Sequence, residues 1–527
     1  MTLRLDYLSP LPPVRSGISD YSVDLLPHLA ERADVRVLRL PGQPVDPELE
    51  ARWRPVAAER AGEGGRIPLY HMGNNRYHEG VWELARERPG VVVLHDLVLH
   101  HFLLDRTVGR GRFEPYREEL ERDHGWIGGQ AALPVRWGAF GSAAQFALPA
   151  NRSLLRRQRG VAVHGRWAAA VLAEDDPDLA IRVVPMGIPL PPAASVAEGL
   201  EFRRAWRIPE RSPLIGSFGF QTPIKRTEVA VRALARPELA EVRLLIAGEP
   251  SPYANYEKLA AELGVAGRVF VTGFLPFAEM EAAIAATDLC LNLRYPTAGE
   301  TSASLLRILA VGRPVVVSDY AEFGDLPDEV AVHVPLGDGE EETFARRLAE
   351  LLLGDRATLA RMGESARRHV AGRHAPERAA AALVEAVGDL AAREPPGDAP
   401  PRVPSASSAL HDRGAGEIRI EGLEAWRAGT RARLSVVVRN RGRERWLPSH
   451  EVPGGVIFEV QLREGTRDHH AGRPWLALER ELAPGEECRF ELELRRPLGR
   501  GRLLIKPTVA LTTGNRPFGR WDLEVGL

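Results

Sequence analysis

The stretch YPTAGETSASLLRILAVGRPVVVSD, residues 295–319, reads in succession as a polar loop, a helix and a strand. Ser302, Leu305, Leu306 and Leu309 fall on one helical face, Ser304 and Arg307 on the other. Thr301 and Ser302 are good N-cap residues, so the helix starts there and points free N–H groups and the positive end of its dipole at the loop. Such an end suits a phosphate. Glu300, the one carboxylate in the loop, would repel phosphate. It could accept hydrogen bonds from the neutral hydroxyls of a sugar or serve only as a first-turn acid, and the spacing allows both.

The same alternation continues on either side. Upstream lie PLIGSFGF, a helix from Arg226, VRLLIAG, a helix over 254–264, RVFVTGF, a helix over 278–286 and DLCLNLR. From Leu3 to about residue 190 a second series offers the strands LRLDYL, VRVLRL, IPLYHM, GVVVLHD, GVAVHG and IRVVPMG. After its first strand Ile18, Tyr21, Leu25 and Leu29 share one helical face, with Pro27 arguing for a kink. Two parallel sheets covered by helices are expected, as two Rossmann-like domains facing a cleft: residues 1–195 on the acceptor side and 196–393 on the donor side, the last helices able to cross back. Ligands of such sheets lie beyond the carboxyl ends of the strands. REPPGDAPPRVPSASSAL then forms a Pro- and Ser-rich linker over 394–414. Beyond it, 415–527 carries short alternating runs between Gly and Pro turns, the pattern of an antiparallel β-sandwich of immunoglobulin type.

Composition narrows the function classes. A chain of 527 residues with 44% hydrophobic content and a net charge of −2 has no basic field for nucleic acid or an anionic membrane. Cys290 and Cys488 lie far apart and make no disulfide or metal framework. The N-terminus lacks the charged and apolar regions of a signal peptide, and no apolar run reaches the ~20 residues of a membrane span. A cytoplasmic location is expected, with peripheral contact at the inner membrane face left open.

Three further stretches bear on chemistry. In GSFGFQTPIKRTE a strand ends in Gly219 and a loop delivers Lys225 and Arg226 to a helix start, where adjacent cations can neutralise a diphosphate leaving group. Lys225 is one of only three lysines, beside Lys258 and Lys506. GVVVLHD ends a buried strand with His95 and Asp96, a histidine able to meet a sugar hydroxyl and an aspartate able to orient it. His71 and Asn74 at another strand end are candidate acceptor contacts, and Gly17 lies between the first strand and first helix, where a charged ligand group meets N–H donors. His100 and His101 match no zinc spacing, and AEDDPD (173–178) reads as a solvated acidic turn, so no metal is expected. Neither a dinucleotide fingerprint nor a P-loop is present.

Together PPVRSGISDYS, VVVLHD, VVPMGIP, FGFQTPIKRTE, LLIAGE, VFVTGFLP and GETSASLLRILAVGRPVVVSD resemble, in order and spacing, the group 1 glycosyltransferases of retaining, GT-B type over about residues 1–390. The resemblance implies a nucleotide-diphosphate sugar as co-substrate, without another cofactor. It implies Lys225 and Arg226 on the donor diphosphate, His95 near the transferred sugar, Gly17 against phosphate, and the loop with Glu300, Thr301 and Ser302 around sugar and phosphate. Phe274 and Leu275 would border the nucleobase. The family's paired glutamates fall here on Gly299, with Glu300 one place late, and on Arg307, which cannot accept ribose hydroxyl bonds, so that either ribose binding differs or Arg307 contacts the donor phosphate instead. Phe220 stands where an arginine is usual. The expected activity is sugar transfer with retention to a carbohydrate or lipid-linked acceptor in cell-surface polysaccharide or glycolipid synthesis. The alternative is a non-catalytic glycan-binding or scaffold protein on a degenerate transferase fold. In the C-terminal region Trp426, Trp446, Trp475 and Trp521 could stack on sugars if exposed, but a sandwich core is the more natural place for them.

Overall fold

The computed structural model describes residues 2–136, 138, 142–192, 196–337, 339–354, 356–397, 415–442, 445–448, 455–464, 467–468, 475–511, 514–519 and 521–527. The Pro- and Ser-rich segment predicted as a linker lies almost wholly outside them. Residues 1–97 and 154–396 form one compact unit, and residues 98–153 with 397–527 a second.

The first unit contains two parallel sheets. Strands β1 (Arg4–Leu8), β2 (Asp34–Arg39), β3 (Val56–Ala57), β4 (Ile67–Met72), β5 (Val91–Leu94), β6 (Gly160–Val163) and β7 (Ile181–Val183) are ordered β3-β2-β1-β4-β5-β6-β7. Strands β8 (Leu214–Phe218), β9 (Arg243–Ala247), β10 (Val269–Gly273), β11 (Leu289–Asn292), β12 (Val315–Ser318) and β13 (Ala331–Val334) are ordered β10-β9-β8-β11-β12-β13. The runs VVVL, GVAV, LCLN and VVVS are buried along their whole length, as strands covered on both faces must be. In each sheet the strand order reverses once, between β1 and β4 and between β8 and β11. That reversal opens a crevice at the carboxyl ends of the flanking strands, the place where doubly wound sheets receive ligands.

Helix Gly17–Ala30 is assigned without a break through Pro27, and buries Ile18, Tyr21, Leu25 and Leu29, the face read from the sequence. Helix Pro376–Ala391 returns from the second sheet to the first: it packs along Gly17–Ala30 and β6, burying Leu383, Val387 and Leu390. Gly160 is required beneath it, because a Cβ there would run into the Leu390 side chain.

The second unit has two parts. Residues 98–153 leave the first sheet between β5 and β6 as helices, among them Phe113–His124 and Trp126–Arg136. The sequence reading of 1–195 as alternating strands and helices contained no such excursion. After residue 414, a three-stranded antiparallel sheet (Gly416–Glu421, Arg431–Asn440, Glu487–Arg495) and a larger one built on Val456–Glu464 and Gly501–Leu511 share one apolar core. Trp426 and Trp446 are buried in it and Trp521 stacks on Trp446 at 5.1 Å, so three of the four tryptophans are packing residues. Trp475 alone of the four is exposed.

Candidate active site

The loop after β8 is held by a buried polar network. Ser217 and Thr227 hydroxyls lie 3.1 Å apart, Thr227 donates to Gln221 Oε1 at 3.1 Å, and Gln221 Nε2 donates to the Gly219 carbonyl at 2.8 Å. Gly219 has φ +85°, and beyond it the turn Pro223–Lys225 brings Lys225 back under the loop. The Lys225 ammonium group donates to the Phe218 carbonyl and is almost fully buried. Burial holds its pKa well below the ordinary lysine value, and the neighbouring Arg294 cation adds to the depression. Arg226 turns elsewhere, its guanidinium 2.6 Å from the buried Glu340 carboxylate.

Across the crevice, after β11, stands the loop that leads into helix Ala303–Val311. Ser302 caps this helix, its hydroxyl accepting from the Leu305 N–H at 3.2 Å. The amides of Ala303 and Ser304 take no acceptor among the described residues, as expected of a first turn. Ser304 faces Gly219: a Cβ added there would lie 3.5 Å from the Ser304 Cβ and 2.9 Å from the Lys225 Nζ. Lys225, Gly219 and the helix start thus converge on one space. Thr301 is half-buried between Glu300 and the cap.

Glu300 folds back on its own loop. Oε2 accepts from the Thr297 hydroxyl at 2.8 Å and the Ala298 N–H at 2.9 Å, and Oε1 lies 3.1 Å from Arg294 Nε. Arg294 was missed in the sequence, although a charged residue two positions after the buried run LCLN, at a carboxyl strand end, was a usable signal. Its side chain is buried, and its two terminal nitrogens make no hydrogen bond among the described residues.

In the first half, Asp96 rather than His95 addresses the crevice. Asp96 accepts from the Asn74 N–H at 2.8 Å, and burial, with the Glu300 carboxylate nearby, raises its pKa to about 7. It does not bond His95. Both His95 ring nitrogens are taken by other histidines: Nε2 lies 3.0 Å from His71 Nδ1, and Nδ1 lies 3.2 Å from His164 Nε2. His164 Nδ1 faces the Val184 carbonyl at 3.0 Å and so carries the proton, which fixes the row: each ring donates through Nδ1 to the next. Burial depresses all three pKa values, that of His164 to about 4, and the imidazoles are neutral. His71 is therefore a floor residue, while Gly17 is exposed at the crevice, and a Cβ added there would meet nothing within 4 Å.

The two halves of this unit touch around the site. Gly299, at φ +73°, sits so close to Leu97 that a Cβ would collide with it, and one would lie 3.2 Å from the Trp167 ring. Glu322 accepts from the Trp167 N–H at 3.2 Å, capping helix Arg166–Asp175. Arg307 does not face the donor space: it lies 3.3 Å from Asp24 and over the Phe277 ring at 4.3 Å. Asp20 and Asp24 are half-buried beside it, and desolvation raises both pKa values against its attraction. Phe274 is exposed, with Arg15 over its ring at 5.6 Å, and Leu275 is buried beneath. Elsewhere His100 has both ring nitrogens bonded, to the Leu148 carbonyl and the Tyr116 hydroxyl at 2.8 Å each.

Residues 212–353, the part of the chain that builds the second sheet and its crevice, match the family model of group 1 glycosyl transferases. This region is a group 1 glycosyl transferase domain. The chain carrying the glycosyl transferase domain is 33% identical over 210 residues to a D-inositol 3-phosphate glycosyltransferase of Stackebrandtia nassauensis, covering 37% of this chain and 46% of the relative. It is 29% identical over 211 residues to a 2-deoxystreptamine glucosyltransferase of Streptomyces kanamyceticus, covering 38% and 53%. The chain thus spans about half the length of these curated relatives. Among solved structures, a sucrose-phosphate synthase of Thermosynechococcus elongatus superposes with a TM-score of 0.53 at 17% identity, covering 74% of this chain and 99% of that one. Anabaena HepE in complex with UDP and glucose superposes at 0.50 with 15% identity, covering 74% and 100%. At these identities the structures establish the fold, two Rossmann-like domains of GT-B type. Among the described residues no helix is long and apolar enough to cross a membrane.

Proposed function

We propose that the protein transfers a sugar from a nucleotide-diphosphate donor to an acceptor hydroxyl, with retention of configuration. The observation that carries this reading is the convergence of Lys225, Gly219 and the open first turn of helix Ala303–Val311 at the crevice of a group 1 glycosyl transferase domain. A cation, a close backbone approach and free N–H groups are what a diphosphate leaving group requires. That HepE is solved with UDP and glucose supports a nucleotide-sugar donor on this fold.

In the proposed reaction the bond from the anomeric carbon to the diphosphate oxygen breaks as the acceptor oxygen bonds that carbon from the same face. The acceptor's proton passes to the departing diphosphate oxygen. Lys225 and the helix start absorb the developing charge in a cleft that excludes water, and the loop around Glu300 holds the sugar. Asp96 and Asn74 stand on the opposite wall, where the acceptor arrives. The acceptor class that we infer is a carbohydrate or lipid-linked hydroxyl of cell-surface synthesis.

Calorimetric titration with UDP, GDP and ADP, with Lys225→Ala beside the wild type, tests the reading. One nucleotide is expected to bind and to lose at least about tenfold in affinity in the variant. No binding by any of the three would overturn the catalytic assignment and favour a scaffold role. The anomeric configuration of the product then tests retention.

A further inference from the structure

We infer that Arg294, not Arg226, is the second cation of the diphosphate site. This rests on the donor reading proposed for the crevice and names the group that completes it.

Position and charge separate the two arginines. Arg226 neighbours Lys225 in the sequence and has a left-handed backbone, φ +52°, but its guanidinium lies 2.6 Å from Glu340 and over the Tyr295 ring at 6.0 Å. It is a neutralised, structural cation. Arg294 comes instead from the other flank of the same crevice, the end of β11, and lies near enough to Lys225 for their charges to repel. Both side chains are more than nine-tenths buried, at 9% exposure for Lys225 and 7% for Arg294.

Two like charges buried together are costly unless an anion joins them. Among the described residues the carboxylates at hand are Glu300, which spends Oε2 on its own loop, and Asp96, which keeps its proton to about pH 7. Glu300, with Oε1 3.1 Å from Arg294, is thus the one of these carboxylates set against both basic groups, and burial already lowers the Lys225 pKa in the absence of a further anion. Glu300 approaches Arg294 at Nε, 3.1 Å away, but that N–H is not aligned on the carboxylate, and the terminal nitrogens remain to donate. A planar fork of two N–H donors suits two oxygens of a diphosphate, with Lys225 as the point charge between phosphates. Glu300 then acts on Arg294 as an orienting partner as well as on the sugar.

The test compares the wild type with Arg294→Gln, Arg226→Gln and the double variant Arg294→Gln/Glu300→Gln. Each is titrated with the preferred nucleoside diphosphate, with the matching nucleoside and with inorganic pyrophosphate. Arg294→Gln should weaken the nucleoside diphosphate by on the order of 10- to 100-fold and leave the nucleoside unchanged. Arg226→Gln should stay within about twofold. The double variant removes one cation and one anion together, so it keeps the buried charge balance and the fold, and should show the same selective loss. A diphosphate-to-nucleoside affinity ratio preserved in Arg294→Gln or in the double variant overturns the inference while leaving the donor reading intact. If the wild type binds no nucleoside diphosphate, the donor reading falls first. Pyrophosphate then decides the clamp: binding lost in Arg294→Gln upholds it, and absence of binding removes it.

Discussion

Asp96 is the residue at which the site's environment can be read in a stability curve. Its folded pKa, about 7, lies above the ordinary aspartate value of 3.8, because burial and the Glu300 carboxylate disfavour its charge. The folded state therefore holds the proton more tightly than the unfolded one, and stability is lost as pH rises from about 4 to 7. Asp96→Asn removes that loss while its amide oxygen can still accept from Asn74. It should raise the melting temperature above pH 7, by up to roughly 4 kcal/mol in free energy, and the gain should vanish towards pH 4. Thermal melts of both proteins across this range check the sign; a gain that grew on acidification would refute it. Lys225 and Glu300 were legible in the sequence because each stands in a polar loop directly beyond an apolar strand. The orientation of His95 was not, since its two ring partners, His71 and His164, lie 24 and 69 residues away. Arg294 was hidden for the opposite reason: it reads as the last residue of a strand.

At the scale of elements, helix Ala303–Val311 is positioned from both ends. Ser302 caps its start, and Gly312 ends it in the left-handed region at φ +89°. The Gly312 carbonyl lies against Gly363 of helix Arg356–Arg373, where no Cβ would fit. Gly363→Ala should therefore push the two helices apart and destabilise the protein by about 1–3 kcal/mol, and because it displaces the helix that faces the donor it should also weaken nucleoside diphosphate binding. Chemical denaturation gives the first quantity and calorimetry the second; an unchanged midpoint would show that the helices yield without cost. Elements of this kind were well marked in the sequence. The helix expected over 278–286 is Phe277–Ala286, and that over 254–264 is Tyr256–Glu262, since apolar periodicity and breaker residues act within a turn or two. The excursion over 98–153 was not marked, because short polar helices such as FEPYREELERDH leave little periodic signal between two strong strands.

For the whole molecule, Gly299 is a point of close contact between the two Rossmann-like halves. A methyl group there meets Leu97 and the Trp167 ring, and the backbone at φ +73° resists any side chain. Gly299→Ala should cost about 1–3 kcal/mol and hold the cleft ajar, read as a larger radius of gyration in solution scattering and faster hydrogen exchange in helix Arg166–Asp175. Leu97→Gly in the same chain removes the Cβ that this methyl would strike and should restore the compact form; if it does not, the stop lies elsewhere. The division into two sheets and a β-rich C-terminal part was legible from composition shifts, whereas the seam between the sheets depends on single contacts with no sequence signature. The path of helix Pro376–Ala391 has a consequence for how such a protein could be shuffled in evolution. The family match ends at 353, but one helix of the layer that covers the first sheet, Pro376–Ala391, arrives only after it. A recombination that replaced the second half with one crossover would import a foreign helix into that layer, so Leu383, Val387 and Leu390 must be inherited together with Gly160 and the face of Gly17–Ala30 that they cover.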